Sequence, residues 1–419
     1  MNKRFILIFF TLALIVMAGA LPYRQIIVPV VEAQIPGAGA QRAPSINIDR
    51  TDRLLLMMST ATKPPSAGTP GSQIFFTQST NGGLNWDNFP VTRNLSNSNG
   101  EAFGPSVAVN RVGKVHIYIT YHDNRNGTTQ VYLLRSLKNA KFKKARNITP
   151  NDGGAFAPRI ALDSAESLNI VWYDLPAAHR RVVFTRSTDL GDTFTELVDV
   201  SRSAGNAFDP EIAVDPNDNI HVIWQDEGSG ISAIMYARST DGGNTFSEPK
   251  KISGAGAAAE PQIKTSSSGQ INVVWNEVVE DGSSQAFFSR STDGGDSFVT
   301  PLNLSNNPGA DIHKTVVTAF ENVVYVAYNN DEDRSRQAYV LKSSDNGQSF
   351  GDPVQISNAT RNRGRAHSVS MAVDSTGTLH VTWIDSSILG NDEGLLFYSR
   401  TSNGRNYTVP QQILAIVIG

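Results

Sequence analysis

The chain has 419 residues, with 36 Lys and Arg against 39 Asp and Glu, for a net charge of −3. That balance excludes a protein-wide electrostatic grip on nucleic acid or anionic membranes. The absence of cysteine excludes disulfides, thiol catalysis and Cys-ligated metal sites. In chain order, Asn2-Lys3-Arg4 is a short basic start, followed by the uncharged run FILIFFTLALIVMAGA at 5–20. Ala18-Gly19-Ala20 fits a small-x-small cleavage site, and Val31-Glu32-Ala33 is a second candidate. Residues 1–20 (alternative end 33) therefore read as a secretory signal, and 21–42 as a linker or latch strand. A retained N-terminal anchor stays open. The mature protein is expected to be secreted or extracytoplasmic, in a periplasm or on a cell surface, with no membrane contact after cleavage.

From residue 43 onward one unit recurs. An eight-residue phrase reads STNGGLNW at 79–86, STDLGDTF at 187–194, STDGGNTF at 239–246, STDGGDSF at 291–298 and SSDNGQSF at 343–350. Two worn copies stand at 136–142 and 401–407. Upstream of each lies a second phrase, such as DPEIAVDPNDNIHVIWQD at 209–226. Within a unit, short runs of β-branched and aromatic residues alternate with Gly, Asn, Asp and Pro, the pattern of strands separated by turns. No window has a helical period. Seven such units predict an all-β chain: a single β-propeller over 43–419, seven blades of four antiparallel strands, with six blades the lesser alternative. Both ends carry a full unit, so no strand need be exchanged, although IIVPVV at 26–31 or ILAIVIG at 413–419 remain candidate latches.

The short phrase reads as a hairpin turn between strands three and four. Asp189, Asp241, Asp293 and Asp345 are placed to accept amide hydrogen bonds of their own turns. The closing Trp86, Phe194, Phe246, Phe298 and Phe350 are expected to fold back into the blade core. One carboxylate per turn is a poor cation site, so no metal and no cofactor is expected. This S/T-x-D-x-G-x-x-W/F pattern resembles the Asp-box of the bacterial neuraminidase repeat, over about residues 43–415. The resemblance implies a sialidase-like Asp-box propeller. Enzymes of that family similarly carry an F/Y-R-I-P arginine, two further arginines, a Tyr–Glu pair and an acidic residue. No F/Y-R-I-P occurs here; Ala157-Pro158-Arg159-Ile160 is the third copy of the strand-one phrase. No catalytic residue is carried over.

A propeller site is expected at the mouth shared by the loops that lead into strand one and those that leave strand two. Acids follow strand two in most units, at Asp123, Asp174, Asp226, Glu277 and Asp385. Their regularity reads as turn capping. The residue after the strand-one proline runs Ser45, Ser106, Arg159, Glu211, Gln262, Thr315 and Ser370. Arg159, Glu211 and Gln262, with Asp209 and Glu260, are candidates for an axial polar pocket or a structural ion pair. Arg361, Arg363, Arg365 and His367, with His313 and Lys314 and with His122 and Arg125, form a candidate basic mouth or a solvated loop. A basic mouth attracts carboxylated or sulfated glycans.

The expected function is a monomeric binder of an extracellular glycan or surface protein. The alternatives are a glycoside hydrolase of sialidase-like type, a polysaccharide lyase on an anionic glycan, and a structural surface scaffold.

Overall fold

The computed structural model describes residues 41–413, apart from 50, 62–71, 87–92, 111–115, 137–140, 150–152, 177–178, 333–334, 359–364 and 387–393. The N-terminal apolar segment and residues 414–419 lie outside the described residues, as do Arg361 and Arg363. The described chain forms seven four-stranded sheets, each built from four consecutive antiparallel strands. Blade 4 is representative: Ala207–Val214, Ile220–Asp226, Ala233–Ser239 and the short outer Lys250–Lys251. The other innermost strands are Gln41–Ile48, Ala102–Val109, Gly154–Leu162, Ala258–Thr265, Asp311–Phe320 and Ala366–Val373. The expected seven-bladed propeller is the fold observed.

Alternation along the strands puts apolar side chains on both faces of each sheet, so the core lies between blades. Trp172, Trp224, Trp275 and Trp383, on the second strands of blades 3, 4, 5 and 7, are fully buried there. Blades 1, 3, 4, 5 and 6 add the same small device at the fourth strand. A serine hydroxyl one residue beyond a buried aliphatic accepts an amide of strand three, as in Val182 N to Ser201 Oγ (3.1 Å) and Ala338 N to Ser357 Oγ (2.8 Å). Paired backbone is thereby continued by a side chain where the strand itself is only two residues long.

The recurring turn works as its sequence suggests. Asp241 Oδ1 accepts the Thr245 amide at 3.0 Å, its Oδ2 accepts the Thr245 hydroxyl at 2.6 Å, and Gly243 N donates to Ser239 Oγ at 2.8 Å. These donors favour the ionised carboxylate and hold the Asp241 pKa at about 2. The closing aromatics, however, reach across rather than back. Phe246 packs on Phe184 of blade 3 (5.2 Å between centroids), Phe298 on Tyr236 of blade 4 (4.9 Å) and Phe350 on Phe288 of blade 5 (5.0 Å). The turn projects each ring past its own sheet, and the apolar surface left to cover belongs to the preceding blade.

Cations fasten the same junctions. Arg186 Nη1 donates to Gly242 O at 3.1 Å and Arg238 Nη1 to Gly294 O at 2.6 Å. Blade 7 meets blade 1 by this same set of contacts. Arg400 Nη1 donates to Gly82 O (2.6 Å), Trp86 packs on Tyr398 (5.4 Å), and Ser375 donates to Asp52 through its amide (2.9 Å) and hydroxyl (2.6 Å). Gln411–Ile413 pairs with blade 7's own third strand. Among the described residues, the ring closes by side chains without an exchanged strand.

Candidate functional site

The mouth is built where the loops into strand one meet the loops leaving strand two. Three of the acids after strand two, Asp123, Asp226 and Glu277, staple those loops, whereas Asp174 instead pairs with Arg181 of strand three. Ser203 Oγ donates to Asp226 Oδ1 (2.8 Å), and the Gly254 and Gly256 amides donate to the two Glu277 oxygens (2.9 Å each). Trp224 Nε1 and Trp275 Nε1 donate to the same acids at 3.0 and 2.8 Å. The capping reading of these residues matches the geometry.

Just inside, every innermost strand breaks register over the same few residues, for example between Phe208 and Glu211. In six blades the residue in the bulge is left-handed: Gly104 (φ 59°), Ala157 (49°), Asp209 (49°), Glu260 (53°), Lys314 (47°) and Ser368 (55°). Five of these are not glycine, and Ala157, Asp209 and Glu260 precede proline, where helical φ/ψ values are further disfavoured. An L-residue there costs on the order of 1–2 kcal/mol. Bulges that re-aim side chains and backbone strain both concentrate at functional surfaces.

Of the candidates, Arg159 and Glu211 meet, Nε to Oε1 at 2.5 Å, and tie blade 3 to blade 4. Gln262 does not join them; its Oε1 accepts Val317 N of blade 6 at 2.7 Å. Ser106 and Ser370 make equivalent ties to Ile160 N (3.3 Å) and Ile46 N (3.4 Å). At this position side chains of blades 2, 3, 4, 5 and 7 tie neighbouring blades together. In blade 6 the register gives it to Val316, paired with Ala327, and not to Thr315. Thr315 takes the place of the proline and is buried, donating to Asn276 Oδ1 at 2.5 Å. Glu260 Oε2 accepts Asn276 Nδ2 and the Lys314 amide, both at 2.9 Å.

Arg125 is committed to the fold. Its Nη2 donates to Asp123 (2.6 Å), Tyr121 (3.0 Å) and Ser96 O (3.1 Å), and it lies over the Tyr132 ring at 4.5 Å. His313 Nε2 is 3.0 Å from Asp331 Oδ2, which Arg336 also holds at 2.9 Å. His367 Nδ1 is 3.1 Å from Ser368 Oγ. Arg365 is exposed and bridges to Arg336 through backbone. Among the described residues no group of three or more His, Asp or Glu is placed to hold a metal ion.

One row at the mouth escapes sequence reasoning. Immediately before the left-handed residue the register aligns Phe103, Phe156, Phe208, Ala259, His313 and His367 on blades 2 to 7. The signal is present as the repeated A-F-x-P at 102–105, 155–158 and 207–210. Its partners on strand two include His122 and Tyr173. The rings form a continuous arc: Phe103 to His122 (5.8 Å), His122 to Phe156 (6.0 Å), Phe156 stacked on Tyr173 (5.3 Å) and Tyr173 to Phe208 (6.4 Å). Arg180 caps it, 5.7 Å from Tyr173 and 5.4 Å from Phe208. All five rings remain partly accessible. Burial, with repulsion from Arg159, holds the His122 pKa down at about 4, and its Nδ1 has no partner. His122 is therefore a neutral imidazole at neutral pH.

No protein-family profile and no curated protein matches the chain. Solved structures do. An ulvan lyase, described as a new family of polysaccharide lyase and bound to a unit of GlcA and sulfated rhamnose, has a TM-score of 0.63 at 12% identity, covering 90% of this chain and 96% of its own. An α-L-arabinofuranosidase from Fusarium graminearum has a TM-score of 0.50 at 14% identity, covering 70% of this chain and 88% of its own. A protein of unknown function from Dyadobacter fermentans has the same score and identity, covering 70% and 95%. At these identities the likeness is one of fold, and the propellers that share it include proteins that act on glycans.

Proposed function

We propose that this chain is an extracytoplasmic propeller that binds an acidic glycan across its axial mouth. The observation that carries the reading is the division of one register row into Phe103, Phe156 and Phe208 on one side and His313 and His367 on the other. Accessible aromatic faces suit the apolar faces of sugar rings. Lys314, which forms no side-chain hydrogen bond or ion pair among the described residues, and exposed Arg365 suit carboxylate or sulfate. The turn phrase, similar to the Asp-box, and the glycan-acting structural neighbours support the same reading. The basic-then-apolar start at residues 2–20 supports export. An array of neutral and acidic oligosaccharides tests it. Binding is expected for carboxylated or sulfated members and weakens with added salt; a silent array rejects the reading.

A second reading is β-elimination on a uronate-containing chain, as a polysaccharide lyase. The observation that favours it is the joint contact of neutral His122 and Tyr173 with Phe156, close to Arg159. Elimination needs a base for the proton beside the carboxylate, a proton donor for the leaving oxygen, and a cation to stabilise the enolate. His122, Tyr173 and Arg159 are of the right types for these three roles. Ultraviolet absorbance of the unsaturated product, lost in His122→Gln, would support a lyase; no absorbance with any bound uronate leaves a binding protein.

A further inference from the structure

Most acids around the mouth are spent on the fold. Glu211 holds Arg159. Glu260 holds Asn276 and the Lys314 amide. Asp226 and Glu277 staple loops. Asp209 differs. It is half-buried, yet its carboxylate makes no hydrogen bond and no ion pair among the described residues. It also occupies the left-handed bulge position before Pro210, where glycine stands in blade 2 as Gly104. A side chain held in a disfavoured conformation and partly desolvated, with no direct hydrogen bond or ion pair, costs the fold free energy.

The surroundings of Asp209 select among ligands. Arg159 from blade 3 and Lys314 from blade 6 face it, as do Glu260 from blade 5 and Glu211 of its own strand. The two cations disfavour a metal ion there, and the three carboxylates disfavour an anion. The next residue is Phe208, in contact with Tyr173 and capped by Arg180. A neutral group rich in hydroxyls, one face of which is apolar, satisfies both neighbours. A carboxylate accepts from two adjacent hydroxyls at once, and such charge-assisted bonds are strong in a partly desolvated site.

We propose that Asp209 is a ligand-binding residue, the hydroxyl clamp of a subsite in which a sugar with two adjacent free hydroxyls stacks on Phe208 and Tyr173. This rests on the glycan-binding reading and sharpens it. The acidic group of the glycan goes to the His313, Lys314 and His367 side, and an uncharged diol face goes to blade 4.

The test uses the chain with Asp209→Asn, Asp209→Gly and Phe208→Ala on an array of acidic oligosaccharides, with melting temperature as a second readout. Wild type is expected to bind. Asp209→Asn and Asp209→Gly are each expected to weaken the best-bound glycan by at least about tenfold. Asp209→Gly is expected to melt at or above the wild-type temperature, because glycine accepts this φ without strain. Unchanged affinity in Asp209→Asn overturns the clamp and leaves the glycan reading standing. A melting temperature several degrees lower in Asp209→Gly assigns Asp209 to the fold and overturns the clamp. Failure of wild type to bind any glycan removes both.

Discussion

Replacing Gly243 with alanine tests how neighbouring blades are held. Gly243 lies at φ +87° in the recurring turn of blade 4, and an added Cβ would sit 2.1 Å from Phe184 Cε1 of blade 3. Gly230 has nearly the same φ, +88°, but nothing within 4 Å of its would-be Cβ. Alanine at Gly230 therefore pays only the left-handed penalty, about 1–2 kcal/mol. Alanine at Gly243 adds overpacking against a buried ring, about 1–3 kcal/mol more. Urea unfolding followed by fluorescence, with the slope checked for constancy, gives both differences. The expected result is a midpoint well below wild type for Gly243→Ala and a smaller decrease for Gly230→Ala. Equal losses would refute the argument, since backbone strain alone would then explain the turn and the inter-blade contact would carry no weight.

Three further outcomes follow from the same geometry. Arg238→Met removes the donor to Gly294 O and leaves that carbonyl without it, so a loss of about 1–2 kcal/mol is expected in urea unfolding. Arg400→Met acts at the closure between blades 7 and 1; hydrogen exchange should rise first in Gln41–Ile48 and Leu395–Thr401, and uniform acceleration around the ring would contradict side-chain closure. The third concerns pH. Folded His122 titrates near 4 and burial also lowers His221 and His380, whereas unfolded histidine titrates near about 6.5. The unfolded chain thus binds more protons in this window, and stability falls as pH drops from about 6.5 towards 4. His122→Gln should flatten that slope; an unchanged slope would place the titration elsewhere.

The blade plan was legible because each blade must bury both faces against near-identical neighbours, which imposes near-identical phrases spaced evenly from 187 to 343. Loop capping by Asp123, Asp226 and Glu277 was legible for the same reason, whereas the pairing of Asp174 with Arg181 was not. The direction of Phe246 was not. Its string tells that a ring closes the turn, but only the packed ring of blades shows that uncovered apolar surface belongs to blade 3. Register in blade 6 was obscured because Thr315 replaces the proline that marks the bulge in blades 1 to 5. The Phe103, Phe156 and Phe208 row was overlooked because residues shared by blades read as architectural. Three aromatics at one position look structural until the opposite blades show histidine there instead. Arg125 was misleading in the other direction, since a surface-type residue in a loop is here absorbed by Asp123 and Tyr121.

If the aromatic arc at the mouth holds a glycan, removing its middle ring weakens binding. Calorimetric titration of the array's best acidic oligosaccharide into wild type and Phe156→Ala measures that loss. Phe156 stacks on Tyr173 at the middle of the arc and remains partly accessible. The expected result is a loss of affinity of about tenfold or more with little change in melting temperature. Wild-type affinity in Phe156→Ala, with the fold intact, would contradict it and move the site away from the mouth.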